Sequence, residues 1–198
     1  MKVLFLDHDG VTCLRSNWGS RSKKKTKAKI HPHTMEKDIP VHLRLDDFDK
    51  KCIKVLNEIL SESGAEIVIS SDWKKYATLE ELQRMYKIYG VNSVPIDVTP
   101  LYANLDRDKE KDFMKRDWAE KHAFERSMEI QNWLSEHPEV THWVAVDDLY
   151  MAKNYPRKND PRDPRDWGLD NFVWTPNQYE GIKQSGVKEK ILKYFKDE

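Results

Sequence analysis

Apolar residues in this chain fall into short unbroken runs, separated by longer stretches where they recur every three or four positions. KVLFL (2–6), AEIVI (65–69), HWVAV (142–146) and NFVW (171–174) have the length and continuity of buried strands, and SVPI (93–96) is a weaker fifth. Phe48, Cys52, Val55, Leu56, Ile59 and Leu60 keep helical spacing and predict an amphipathic helix over 47–62, with Asp46 and Asp47 as its N-cap and Gly64 as its stop. Leu79, Leu82, Met85, Tyr86 and Tyr89 mark a second helix, opened by Thr78 and Glu81 as a capping box and ended by Gly90. Phe124, Met128, Ile130, Trp133 and Leu134 mark a third, stopped near Pro138, and Val187, Ile191, Leu192 and Phe195 a C-terminal one. Unbroken apolar strands alternating with helices predict an α/β fold with a mainly parallel sheet and helices on both faces.

Three segments break this rhythm. Residues 15–46 carry the basic run SRSKKKTKAKIHPHT, residues 100–122 are highly charged with scattered aromatics, and residues 153–168 are rich in proline and charge. They read as insertions into one domain of 198 residues. The 34 Lys and Arg residues balance 34 Asp and Glu, so any attraction for a polyanion must be local. The mean hydropathy of −0.83 fits long exposed segments. The 2 cysteines, Cys13 and Cys52, lack paired spacing, and no apolar run approaches the length of a membrane span. The apolar run in MKVLFLDHD is too short for a signal peptide. These features predict a cytoplasmic protein with no membrane partner.

In a parallel sheet, ligands gather at the carboxyl ends of the strands. The first strand ends in Asp7-His8-Asp9-Gly10, the second in Ser70-Ser71-Asp72-Trp73-Lys74, and the fourth in Asp147-Asp148. A D-x-D-G stretch alone is an ordinary turn. Carboxylates converging from separate strands repel one another unless a cation joins them, and Mg²⁺ suits a site of few carboxylates, waters and substrate phosphate. Ser71 and Asp72 alone read as turn or cap residues, His8 as structural, and Trp73 and Trp133 as core.

D-x-D-G-V, an apolar strand with serine, a basic residue and an apolar strand with D-D follow one another in an order that resembles the haloacid dehalogenase-like (HAD) phosphatase superfamily. LDHDGV, IVISSDWK, the V-T-P turn, R-x-x-E-I-x-x-W-L and VAVDD are similar, more narrowly, to the HAD domain of Swiss Army Knife RNA repair proteins and phage and bacterial relatives. The resemblance implies a three-layer Rossmannoid fold and a Mg²⁺-dependent phosphomonoesterase. It makes Asp7 the nucleophile, Asp9 the general acid and base, and Ser70 a donor to the phosphoryl oxygens. Asp7, Asp147 and Asp148 would hold Mg²⁺, with Asp9 adding its backbone carbonyl. Arg126, placed at the start of the third helix, would be the cation on the phosphoryl group, with Lys121 as the alternative. Ser71 and Lys74 would reach substrate, although many relatives carry Arg at the Lys74 position.

Insertions between the first two motifs are where HAD proteins place lids. The lysines of residues 23–29 are either a solvated loop or a lid that attracts a polyanion. Trp18, Tyr102 and Trp118 are candidate stacking faces for bases. The substrate expected is a nucleic-acid end, such as a 3′-phosphate, or a nucleotide. A nucleoside-monophosphate phosphatase is the rival within the class, and a non-catalytic nucleic-acid-binding relative is the rival outside it.

Overall fold

The computed structural model describes residues 1–105, 118–153 and 167–196. Five parallel strands form one sheet in the order β3-β2-β1-β4-β5: β1 (Lys2–Leu6), β2 (Glu66–Ile69), β3 (Asp97–Val98), β4 (His142–Asp147) and β5 (Phe172–Trp174). The helices are α1 (Ser20–Lys27), α2 (Val41–Arg44), α3 (Lys50–Ser63), α4 (Leu79–Ile88), α5 (Trp118–Glu136) and α6 (Val187–Lys193). Side chains alternate across the sheet. Leu4, Leu6, Ile67, Ile69, Val144 and Val146 pack with the apolar faces of α3, α4 and α6. Val3, Phe5, Val68 and Ala145 pack with α5 and with Met151, Trp167 and Leu169. The result is the expected three-layer α/β fold. Val3 to Leu6 are wholly buried, and each side chain contributes about 1.5–3 kcal/mol through its removal from water.

Several local expectations are corrected. The fifth strand is Asp97–Val98, not 93–96. Pro95 has no N–H to give the ladder, so pairing starts with the Ile96 N–H on the Ile67 carbonyl. The 47–62 helix starts at Lys50, because Asp49 caps it, accepting from the Lys51 and Cys52 N–H groups. Asp46 and Asp47 instead tie down the basic insertion. Asp46 accepts from Ser20 Oγ at 3.2 Å and Arg21 N at 2.8 Å, and Asp47 pairs with Lys24 Nζ at 2.5 Å. The insertion therefore includes a helix, α1, although none of its residues is buried and it shows no apolar period. Most of residues 100–122 and 153–168 lie outside the described residues. Among the described residues no helix is long and apolar enough to cross a membrane.

Candidate active site

The ladder carries the candidate residues to one edge. Beyond the strands proper, Asp7 N–H donates to Val146 O at 3.1 Å and Ser70 N–H to Leu6 O at 3.0 Å. These bonds set Asp7 between the ends of β2 and β4. Carboxylate oxygens of Asp7, Asp147 and Asp148 lie within 4.8 Å of one another. The Asp147 Oδ1 is held by the Leu149 N–H at 2.8 Å, and Asp148 Oδ2 by Gln178 Nε2 at 2.6 Å.

Arg126 enters this cluster from the opposite layer. It sits in the middle of α5 rather than at the helix start, and its Nη1 is 2.6 Å from Asp147 Oδ2 and 3.1 Å from Asp7 Oδ1. Its Nη2 is 3.6 Å from Asp72 Oδ1. Burial pushes the Asp7 carboxyl well up, Arg126 opposes that, and Asp147 and Asp148 reinforce it. Burial also raises Asp147, against the pull of Arg126. Burial and then Asp147 push Asp148 up to about 7. One guanidinium thus faces three carboxylates whose proton affinity burial raises first of all, with charge repulsion adding to it at Asp7 and Asp148. An all-oxygen donor set of this kind fits a hard divalent cation. The Ser70 hydroxyl is buried beside this edge and has no hydrogen-bond partner among the described residues.

Asp9 is turned toward the cavity by a tight loop. The His8 carbonyl accepts from the N–H groups of Val11, Thr12 and Cys13 at 3.1, 2.9 and 2.7 Å. Gly10 makes this turn at φ +72°, where a Cβ would also lie 2.8 Å from Asp148 Cγ. Asp9 Oδ2 accepts from Trp73 Nε1 at 3.0 Å. Burial raises the Asp9 carboxyl and the indole donor offsets part of that rise. His8 is structural: its ring lies nearly parallel to Phe48 and Trp73, its Nε2 is 3.0 Å from Tyr86 Oη, and burial lowers its pKa to about 3. Asp7, Asp9, Asp72, Arg126 and Asp148 line a cavity of about 470 Å³, with Trp18 and Trp118 on its walls.

Residues 3–182 match the family described as the HAD domain in Swiss Army Knife RNA repair proteins. The chain belongs to that family. No curated protein and no solved structure gives a significant match. Membership covers β1 to the turn after β5, so every motif described above lies inside the matched region of this HAD domain.

The other candidate residues of the HAD domain are dispersed. Ser71 accepts from the Trp73 N–H at 3.5 Å, a turn cap. Lys74 is drawn away from the cavity: its Nζ is 2.6 Å from Glu129 Oε2, 2.6 Å from Thr99 Oγ1 and 3.1 Å from Pro100 O. Lys121 is exposed, 3.9 Å from Glu125, and does not line the cavity, whereas Arg126 does. Sequence reading missed three contacts: Trp73 on Asp9, Gln178 on Asp148 and Asp72 on Arg126. Only Asp72 carried a signal, its place one turn past β2.

Proposed function

We propose that this HAD domain is a Mg²⁺-dependent phosphomonoesterase that removes a terminal phosphate from a nucleic-acid end through an aspartyl-phosphate. The observation that carries the reading is the buried Asp7 carboxylate, held 3.1 Å from the Arg126 guanidinium in one cavity with Asp9. An Asp7 oxygen attacks phosphorus, and the bond from phosphorus to the leaving oxygen breaks. Asp9 gives its proton to that oxygen. The Asp9 carboxylate then takes a proton from water, the hydroxide oxygen attacks phosphorus, and inorganic phosphate leaves with Asp7 restored. A raised Asp9 carboxyl supports the first of these roles. Arg126 and the Ser70 hydroxyl hold the phosphoryl oxygens. Asp7, Asp147 and Asp148 are the residues that would hold Mg²⁺, which when bound supplies positive charge for the phosphoryl group.

The family's RNA-repair setting supports an RNA end, and a 3′-phosphate is the specific assignment proposed. Trp18 and Trp118, exposed on the cavity wall, support it with faces for bases. Both cysteines are free and buried, which suits a reducing cytosol. The test is phosphate release from 3′- and 5′-phosphorylated oligonucleotides and from mononucleotides, with Mg²⁺ or chelator. The 3′-phosphorylated oligonucleotide is the best substrate, chelator stops turnover, and Asp7→Asn abolishes it in a folded protein. Turnover by clean Asp7→Asn protein would end the covalent route.

A further inference from the structure

A second cavity, of about 540 Å³, adjoins the catalytic one, and Arg21, Leu45 and Tyr76 line both. Their chemistry differs. The first is walled by carboxylates. The second is lined by Arg21, Lys25, Arg44 and Lys75 against a single acid, Glu36.

Most of these cations are already paired. Lys25 is 2.5 Å from Glu36, Lys75 is 2.9 Å from Asp72, and Arg44 pairs with Glu81. Arg21 is exposed, and its side chain has no partner among the described residues. It stands at the junction of the two cavities. Arg44 is nine-tenths buried, and its Nε has no hydrogen-bond acceptor among the described residues. Three carboxylates answer three of the four cations, and Asp46, bound to the Arg21 backbone, leaves the Arg21 guanidinium itself unpaired among the described residues. Exposed pairs such as Lys75–Asp72 hold by only about 0–1 kcal/mol, so an arriving anion exchanges with them at little cost. Tyr76 is 63% exposed at the same junction. A cationic groove beside an exposed aromatic ring is how proteins hold single-stranded nucleic acid, the cation on the backbone and the ring under a base. A mononucleotide would fill the first cavity alone.

We propose that the second cavity binds the phosphodiester next to the terminal phosphate of a single-stranded nucleic acid, with Arg21 on the phosphate and Tyr76 under a base. This rests on the reading of the first cavity as the site of the terminal phosphate. It makes the protein a reader of at least two consecutive phosphates.

The test alters the ligand first. Wild-type protein is titrated, by fluorescence anisotropy in chelator, with a 3′-phosphorylated oligonucleotide and with one carrying a neutral methylphosphonate at the adjacent linkage. The neutral linkage weakens binding roughly tenfold, the worth of one charge-assisted hydrogen bond. Arg21→Ala binds the charged ligand less tightly and loses the discrimination. The salt dependence of Arg21→Ala is shallower by about one phosphate contact. Equal wild-type affinity for the two ligands overturns the proposal, whatever the variant does. Phosphate release is measured separately: release from every ligand without discrimination refutes the second cavity and leaves the phosphatase. Discrimination with no release from any substrate refutes the phosphatase and leaves the cavity.

Discussion

Lys74→Met removes one partner of the Lys74–Glu129 pair, in which the side chains are only 4% and 9% exposed. Burial lowers the lysine's proton affinity and Glu129 restores much of it, so each charge depends on the other. Without the ammonium, Glu129 keeps, among the described residues, its Oε1 bond from the Tyr102 N–H, at 2.7 Å. Removing one member of a buried pair costs about 3–5 kcal/mol, a large part of the roughly 5–15 kcal/mol that holds a domain folded. An exposed pair such as Lys153–Asp170 is worth about 0–1 kcal/mol by contrast. The double variant Lys74→Met/Glu129→Leu leaves no stranded charge and recovers most of the loss. Urea unfolding followed by circular dichroism reads both. A single variant within about 1 kcal/mol of wild type refutes the reasoning. Activity adds a second arm. Glu129 lies one turn after Arg126 on α5, so the pair fixes the register that delivers the guanidinium to Asp7 and Asp147. If the double variant folds well yet fails at turnover, the pair is needed to place Arg126 against Asp7 and Asp147.

Gly10→Ala forces a side chain onto Asp148 at a positive φ. It weakens Mg²⁺ binding in calorimetry by more than it destabilises the fold, and unchanged metal affinity would contradict the placement of Asp148. Trp73→Phe removes the donor that holds the Asp9 carboxyl down. The general-acid limb of the pH–rate profile on an aryl phosphate moves up by about one unit, and a limb that stays put removes Asp9 from that role. Burial and Asp147 push Asp148 up to about 7, above its ordinary value, so it favours the folded state most in acid and loses that contribution as pH rises toward 7. Asp148→Asn in metal-free protein therefore gains thermal stability relative to wild type between about pH 4 and 7, and added Mg²⁺ narrows the gap. A difference independent of pH would show that Asp148 is not raised.

The sheet was legible because burial on both faces leaves β1, β2 and β4 as unbroken apolar runs. The short edge strand β3 was not, since Asp97–Val98 has no apolar run and Pro95 had shifted the pairing. The position of the candidate site was legible for a related reason: Asp7, Ser70 and Asp147 each follow directly on a strand's apolar residues. What escaped were contacts set by tertiary packing. Trp73 looked like core and is buried, yet only the turn after β2 brings its N–H to Asp9. Gln178 is an ordinary polar residue until the chain after β5 sets it on Asp148. Asp46 and Asp47 have the chemistry of caps, but Asp49 is one residue from the helix and takes the role, freeing them for α1. Helix α1 has no buried face, so no periodicity could announce it.

The central place of β1 also bears on how the protein is made. β1 is synthesised first, yet its two neighbours come from residues 66–69 and 142–147. At about 5–20 residues per second, roughly 7–28 s separate Leu6 from Asp147 on the ribosome. During that interval one edge of Val3–Leu6 has no β4 to pair with, and an apolar edge of that kind recruits other chains. Charges flanking such a strand act as gatekeepers against aggregation, and Lys2 stands on one side with Asp7 and Asp9 on the other. In the nascent chain, the carboxylates assigned to catalysis would first serve to keep an unfinished sheet from joining its neighbours.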